Sequence, residues 1–211
     1  KRNYFEVASF FLTKGRALIT TVIFIALSIA ITLTVNPLCA YALSRFNLSY
    51  SYKVLLFLLA TMAFPGEVTL IPNFLLLRDL GMLNTFYALL LPGMASGFSI
   101  FLLKGFFDTL PKELYEAAQL DGAGELRIFY QITVPLCKPI FAYIALITFT
   151  GAYGAFLFAL TVCQDPAMWT IMVWLYDLNA TSPEHIKVAA LVLAMLPTLL
   201  VFVTCQRVIM R

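Results

Sequence analysis

The sequence predicts an all-α polytopic membrane protein, and two observations carry that prediction. Of its 211 residues, 62% are hydrophobic and only 12% are charged, about half the charged fraction of roughly 25% in soluble domains. The uncharged residues also gather into runs long enough to cross a bilayer, since roughly 20 apolar residues span the hydrocarbon as a helix. The net charge of +3 is too small to indicate nucleic acid, so we expect membrane lipid and no nucleic-acid partner.

Five apolar runs predict five membrane-spanning helices, at residues 17–44, 54–77, 80–103, 139–164 and 188–206. The apolar stretch 166–176 is too short to span, and its two tryptophans favour an interfacial or re-entrant segment. Proline or glycine interrupts every run, as at Pro65-Gly66 and Pro92-Gly93. Such breaks are tolerated in lipid where neighbours or a water cavity satisfy the backbone. We therefore expect a tight bundle of bent helices.

Lysine and arginine collect in alternate loops, which predicts the orientation of the spans. The loops after the first and third predicted spans and the C-terminal tail hold eight basic residues, whereas the other two loops hold two. By the positive-inside rule, the loop 105–138 and the C-terminus lie in the cytoplasm. Residues 1–16 would then be an extracytoplasmic segment leading into a transmembrane domain of residues 17–211. Because residues 1–16 carry four basic side chains, we expect an upstream span, and six spans in the full-length protein.

The predicted cytoplasmic loop, residues 105–138, concentrates the charge of the chain, with five of the eleven acidic residues. Asp108 or Thr109 before Pro111 predicts a capped helix start. Asp121-Gly122 predicts its end, because glycine adopts the left-handed C-terminal conformation without strain. One face of this helix would carry Leu110, Leu114, Ala117 and Ala118, and the other Lys112, Glu113, Glu116 and Gln119.

A second short helix is predicted at residues 125–133, ending before Pro135. The loop would then be a helix, a glycine turn and a helix lying along the membrane surface. A folded, charged loop in an otherwise apolar chain indicates contact with a soluble partner.

The spacing within this loop resembles the EAA loop of ABC-importer permeases: Glu116-Ala117-Ala118, three residues, Gly122, then Ile132 and Pro135. Val134 stands where that family usually has leucine. Residues 40–46, 70–72, 80–85 and 106–114 resemble further segments of carbohydrate importer permeases of the maltose type. The resemblance implies a type I ABC-importer permease fold with cytoplasmic EAA coupling helices. One departure is Tyr153-Gly154-Ala155, where the family usually has Trp-Asn-Glu.

The resemblance also implies function. The chain would form half of the translocation pathway for a sugar in a bacterial or archaeal plasma membrane. Its partners would be a second homologous permease in a heterodimer, an extracytoplasmic solute-binding protein and a dimeric cytoplasmic ATPase, which alone would bind ATP and Mg. The chain itself would be a transport subunit with no catalytic residue and no cofactor. The residues expected to couple to the ATPase are Glu113, Glu116, Ala117, Ala118, Asp121, Gly122, Ile132 and Pro135, with Glu116 as a polar anchor and Gly122 as the turn.

Glu67 is the only acidic residue well inside a predicted span, and charge within a membrane is costly enough to indicate function. It is a candidate for a group that hydrogen-bonds a polar solute in the pathway; the alternatives are a contact to a neighbouring helix, the helix break at Pro65-Gly66 and a position at the outer boundary. Ser96, Ser99 and Tyr153 are further pathway candidates. Hydroxyls in membrane helices more often pair with the backbone or another helix.

Three other functions fit the sequence less well. A permease for a non-sugar solute such as glycerol phosphate or polyamine is the first alternative, although a phosphate ester favours basic residues deep in a span and the sequence has none there. A secondary transporter or channel is the second, but a single intramembrane acid and no detectable halves speak against it. A serine hydrolase is disfavoured because Gly93-Met-Ala-Ser96-Gly97 lacks the Gly-x-Ser-x-Gly spacing. A metal protein is disfavoured because His185 is the only histidine and the four cysteines show no CxxC pairing.

Overall fold

The computed structural model describes residues 16–46 and 49–209, with side chains as far as residue 204. These residues form helices joined by turns, without a strand among them. The proposed extracytoplasmic segment 1–16 lies outside the described residues except for Arg16, and so does the basic residue at the C-terminus.

The longest helix, α1, runs from Arg16 to Arg45 and is the central element of the bundle. Its buried residues are spread along its whole length, from Thr20 to Leu43, and Pro37 lies inside it. It packs chiefly against two later helices, α5 and α9. The remaining helices are α2 (Ser51–Thr61), α3 (Gly66–Asp79), α4 (Phe86–Leu90), α5 (Gly97–Asp108), α6 (Lys112–Leu120), α7 (Glu125–Ile128), α8 (Val134–Leu136), α9 (Lys138–Tyr153), α10 (Leu157–Val162), α11 (Ile171–Thr181) and α12 (Glu184–Ile209).

Short irregular helical turns connect several of these elements. Turns of 3₁₀ helix lie at Leu91–Gly93 and Pro166–Met168, and one π-helical stretch, Phe129–Thr133, joins α7 to α8. The π stretch sits inside the loop whose sequence resembles the EAA loop. Such insertions locally change the direction and phase of a helix.

Two helices are each long and apolar enough to cross a membrane: α1, and α12 over Glu184–Thr204. Three bent pairs pass the same test together: α2 with α3 (96°), Phe86–Gly93 with α5 (49°), and Glu125–Leu136 with α9 (84°). The described residues therefore contain between two and five spans. The prediction of bent helices is confirmed at Pro65-Gly66 and Pro92-Gly93, where two of these breaks fall. It is wrong that every proline interrupts a helix, because Pro37, Pro72 and Pro197 lie inside continuous helices.

The predicted span 139–164 is also divided, into α9 and α10, at Gly154. The stretch predicted as interfacial or re-entrant, residues 166–176, forms the turn Pro166–Met168 and most of α11. At 11 residues α11 is too short to cross a bilayer. Its apolar side chains Ile171, Val173, Trp174 and Leu175 are buried inside the protein.

The buried apolar residues form two separate clusters, and α1 contributes to both. The loop cluster joins the C-terminal part of α1 to α5, to residues 115–137 and to the start of α9. The distal cluster joins the N-terminal part of α1 to α4, α10, α11 and α12. A polar zone lies between them, with buried Thr32, Asn36 and Ser99. This division places a core at each end of the bundle and leaves its middle for cavities.

The start of α5 is pressed against α2. A Cβ atom added to Gly97 would lie 2.5 Å from the carbonyl oxygen of Leu58, closer than side-chain carbons approach an oxygen. Small residues permit this kind of close helix crossing in membranes. Gly105, further along α5, has open space around it.

We expect Gly97→Ala to destabilise the bundle by about 1–3 kcal/mol, the usual effect of overpacking a tight contact. Thermal unfolding of the detergent-solubilised protein measures it. Gly105→Ala is the matched control, in the same helix but unhindered, and should leave the midpoint unchanged or slightly raised. Equal midpoints for the two variants would contradict the close crossing.

Candidate functional site

The first helix of the loop, α6, begins at Lys112 directly after Pro111, without a side-chain cap. The prediction that Asp108 or Thr109 caps it is wrong. Asp108 is the last residue of α5, and its carboxylate accepts hydrogen bonds from Ser44 Oγ and Lys104 Nζ, both at 2.6 Å. Since those contacts occupy the carboxylate, it ties α5 to α1 instead of starting α6.

The end of α6 confirms the predicted glycine turn. Gly122 has φ +76°, and its N–H donates to the Gln119 carbonyl while the Ala123 N–H donates to the Ala118 carbonyl, each at 3.0 Å. This pair of bonds is the Schellman arrangement, which satisfies the last carbonyls of a helix through a left-handed residue. Gly122 therefore sets the angle between α6 and α7.

The second part of the loop is longer than predicted. The expected helix end before Pro135 is wrong, because the chain continues from α7 through the π stretch into α8, which contains Pro135. Proline is tolerated there because it occupies the first turn of α8. The sharp turn falls instead at Cys137, where the backbone leaves helical geometry before α9.

The predicted apolar face of α6 is wrong in its centre. Tyr115 is the buried residue, whereas Leu114 is 43% exposed and Ala117 is also exposed. The tyrosine hydroxyl shares a buried hydrogen bond of 2.9 Å with the Thr133 hydroxyl. The Arg45 guanidinium carbon lies 3.7 Å from the centre of the tyrosine ring. Tyr115 is buried in place of leucine because its hydroxyl bonds Thr133 and its ring contacts Arg45. The pattern of apolar residues along the helix does not reveal these two partners.

A second contact fixes α7 to α1. The Tyr41 hydroxyl donates to Glu125 Oε2 at 2.8 Å, and Gln119 Nε2 donates to Glu125 Oε1 at 3.1 Å. The Tyr41 ring also packs edge-on against Phe129, with centroids 5.3 Å apart. Arg45 donates in addition to the Phe107 carbonyl. The loop is thus bound to the end of α1 by several side-chain contacts.

The sequence prediction missed these anchoring residues: Tyr41, Arg45, Tyr115, Glu125 and Thr133. A signal for two of them was present, because Tyr41 and Arg45 belong to the segment 40–46 that resembles carbohydrate importer permeases. No local sequence pattern relates Tyr41 to Glu125, which lies 84 positions later.

The structure leaves most of the predicted coupling residues uncovered. Glu113, Glu116, Ala117, Asp121, Gly122 and Pro135 are exposed, while Ala118 and Ile132 are half-buried. Among the described residues, neither Glu113 nor Glu116 forms a hydrogen bond or ion pair. Ala118, Asp121 and Ile132 come together at a notch of about 230 Å³ that Arg127 and Gln131 also line. Beside them Leu120 and Leu126 are 89% and 65% exposed, so the loop presents a surface of charged and apolar side chains.

A first membrane cavity lies in the polar zone between the two clusters. It has a volume of about 320 Å³, and its polar lining comes from Ser28, Thr32, Ser96, Ser99 and Thr148. The Asn36 side chain accepts a hydrogen bond from the Ser96 N–H at 3.0 Å, and Ser96 Oγ caps α5 by accepting from the Ser99 N–H at 3.2 Å. Two of the predicted pathway residues, Ser96 and Ser99, therefore line one cavity.

A second cavity, the Glu67 groove, has a volume of about 370 Å³ and is lined by Gly66, Glu67, Thr69, Leu70, Asn73, Leu89, Pro92, Gly93, Leu157 and Phe158. It shares Leu89 and Gly93 with the first cavity. Tyr153 lines neither one; it is buried, and its hydroxyl donates to the Ala194 carbonyl at 2.5 Å. That hydroxyl therefore joins α9 to α12. No group of three metal-ligating side chains occurs in the described part of the chain.

We expect Tyr41→Phe to loosen the loop, because it removes the bond to Glu125 while keeping the packing on Phe129. Hydrogen bonds to charged groups contribute about 1.5–3 kcal/mol, and the partial exposure of this one points to the lower end. Limited proteolysis between residues 121 and 125 should become faster. Tyr130→Phe is the control, since Tyr130 also packs on Phe129 but is 56% exposed. Unchanged cleavage in Tyr41→Phe would show that the bond does not hold the loop.

Comparison with known proteins finds one matching family and several similar transport permeases. The family model described as binding-protein-dependent transport system inner membrane component matches residues 7–211. The diacetylchitobiose uptake system permease protein NgcG of Streptomyces coelicolor is 31% identical, over 92% of this chain and 66% of that protein. The sn-glycerol-3-phosphate transport system permease protein UgpE of Yersinia pestis is 35% identical, over 85% of this chain and 65% of that protein.

Among solved structures, a bacterial ABC transporter involved in the import of the acidic polysaccharide alginate contains a similar chain. The TM-score is 0.88 with 24% identity, over 97% of this chain and 78% of the other. At that identity the likeness establishes the fold alone. The arrangement of helices described above is therefore that of a chain in this ABC transporter.

Proposed function

This chain belongs to the family of inner membrane components of binding-protein-dependent transport systems, and from that premise we propose that it is the permease subunit through which an ATP-driven importer takes up a sugar. Members of this family are transport subunits and not enzymes. The observation that carries the proposal is the loop 105–138, which is fixed to α1 and presents an uncovered surface. The likeness to the permease NgcG, named for diacetylchitobiose uptake, supports a sugar as cargo.

The exposed surface of α6 suits a soluble protein partner. Its acidic side chains Glu113 and Glu116 offer hydrogen-bond acceptors, and neighbouring Leu120 is almost fully exposed at 89%. An apolar patch rimmed by polar groups is typical of an interaction site. The partner is a cytoplasmic ATPase dimer that binds ATP and Mg itself, with Glu116 as the polar anchor and small Ala117 allowing close approach. This assignment puts the loop and the C-terminus in the cytoplasm.

Three helices that hold the loop also line the first cavity. They are α1 with Ser28 and Thr32, α5 with Ser99, and α9 with Thr148 and Gly151. Helix α1 rises about 20 Å between Arg45 and Thr32. Because the helix is continuous over this length, movement of the loop would tilt the part of α1 that lines the cavity. Docking of the loop on an ATPase that closes and opens would thus expose the cavity to one side of the membrane and then the other.

The rest of the assembly follows from the same proposal. A second, homologous permease completes the pathway as a heterodimer, because both cavities are open and this chain alone does not enclose them. A solute-binding protein delivers the sugar to the opposite face from the loop. We propose five spans within residues 17–211, with six in the full-length protein, in a bacterial or archaeal plasma membrane.

We expect Gly122→Val to abolish transport-coupled ATP hydrolysis while leaving membrane insertion intact. A left-handed conformation costs a side-chain-bearing residue roughly 1–2 kcal/mol, more for a branched one, so the turn and the angle between α6 and α7 would change. Substrate-stimulated ATPase activity in reconstituted vesicles measures the loss. Gly124→Ala is the control, since Gly124 has φ −74° and open space around it.

We expect Glu116→Lys to have the same effect by a different route, because it reverses the charge of the proposed anchor without altering the fold of the loop. Co-purification of the ATPase should fall together with transport. Retention of both at the native level would contradict the docking surface, while a stable, membrane-inserted chain confirms that the loss is specific.

Glycerol phosphate is a second candidate cargo, favoured by the 35% identity to the permease UgpE named for it. Uptake of labelled glycerol 3-phosphate and of labelled disaccharides by vesicles carrying the whole importer separates the two. Transport that continues without any ATPase would instead indicate a secondary transporter or channel.

A further inference from the structure

We propose that the Glu67 groove is a sugar subsite that takes an uncharged sugar unit, with the Glu67 carboxylate accepting hydrogen bonds from sugar hydroxyls. The inference rests on the proposed function as an importer permease. It names a site and a substrate class that the family alone does not, because relatives and neighbours are named for acidic as well as uncharged cargo.

Three helix breaks meet at this groove. Gly66 and Glu67 follow the break between α2 and α3, where the chain bends by 96°. Pro92 and Gly93 lie at the break between α4 and α5, and Phe158 follows the break between α9 and α10. Non-helical backbone at membrane depth is tolerated only where it is buried in protein or lines a water-filled cavity. Because all three breaks border the same open groove, the groove is a place for water and polar solutes.

The side chain of Glu67 supports the same assignment. It is exposed, and it forms no hydrogen bond or ion pair within the described residues. A carboxylate that faced lipid in this position would be strongly unfavourable. It lies in the first turn of α3, where the helix dipole favours an acidic side chain. Glu67 is therefore placed to interact with a solute that occupies the groove.

The groove offers the chemistry that a sugar ring needs. The Glu67 carboxylate accepts hydrogen bonds from hydroxyl groups, and the Asn73 amide can both donate and accept. Pro92 and Phe158 add apolar surface for the C–H face of a ring. A volume of about 370 Å³ is within the range of small-molecule sites.

The charge of Glu67 selects among sugars. A uronate or a phosphate ester would bring a second negative charge beside the carboxylate, and like charges at that distance repel. An uncharged sugar meets no such repulsion. Since the groove shares Leu89 and Gly93 with the cavity at Ser96 and Ser99, a sugar leaving it enters a second polar site.

The test uses the whole importer, with its ATPase, partner permease and solute-binding protein, in cells supplied with labelled oligosaccharides. The panel contains uncharged members (cellobiose, xylobiose, diacetylchitobiose) and an acidic one (digalacturonate). We expect uptake of an uncharged member, and a rise in its KM of roughly tenfold or more in Glu67→Gln, from loss of a hydrogen bond to a charged group. Asp79→Asn, an exposed acid in the same helix but outside the groove, should leave KM unchanged.

Digalacturonate uptake by the wild-type importer, or an unchanged KM in Glu67→Gln, would overturn the subsite and leave the importer function standing. Failure to take up any sugar while the ATPase still co-purifies would overturn the sugar cargo of the proposed function, and the subsite with it. If Glu67→Gln does not assemble, Asn73→Ala tests the same groove: its KM should rise, and an unchanged value overturns the proposal.

Discussion

The structure depends on the side-chain contacts that bind the loop to the end of α1, and the contact of Arg45 with Tyr115 is central because it joins α1 to the buried residue of α6. The guanidinium lies 3.7 Å from the ring centre and also donates to the Phe107 carbonyl at the end of α5. Cation–π contacts contribute about 0.5–2 kcal/mol, with the larger values for desolvated pairs. Arginine suits the site because its planar group can stack and donate simultaneously, which a lysine ammonium cannot do. With the buried Tyr115–Thr133 bond beneath it, this contact makes α1, α5 and the loop one rigid unit.

The second constraint is the set of helix breaks in the middle of the bundle. A helix broken in lipid must satisfy its free backbone groups from elsewhere, and here side chains do part of that work. Asn36 accepts from the Ser96 N–H at the break before α5, and Ser96 caps the next turn. The two apolar clusters lie on either side of these breaks. The cavities therefore occupy the zone where packing is interrupted, and the rigid parts lie at the two ends.

Sequence reasoning predicted the helical class, the breaks at Pro65-Gly66 and Pro92-Gly93 and the turn at Gly122, because each depends on local chemistry: apolar run length, proline and glycine, and a left-handed residue. It failed where distant residues decide the outcome. Asp108 was predicted to cap α6, but Ser44 and Lys104 hold its carboxylate. Leu114 was predicted to lie on the apolar face of α6, but the buried residue is Tyr115, which has a hydrogen-bond partner 18 residues later and a cation above its ring. Glu67 was identified from its charge alone, whereas the groove around it required the meeting of three helix breaks.

Under the proposed function, these features would let a partner that docks on the loop act on the distant cavities. The loop holds α1, α5 and α9 at one end, and the same helices carry Thr32, Ser99 and Thr148 at the cavity. Packed interiors do not deform continuously; they shift between discrete arrangements. The clusters at the two ends can therefore move as rigid bodies, and the breaks between them absorb the difference in orientation. If a partner moves the loop as proposed, a pathway placed at those breaks would open and close with the same motion, and coupling would require no separate gate.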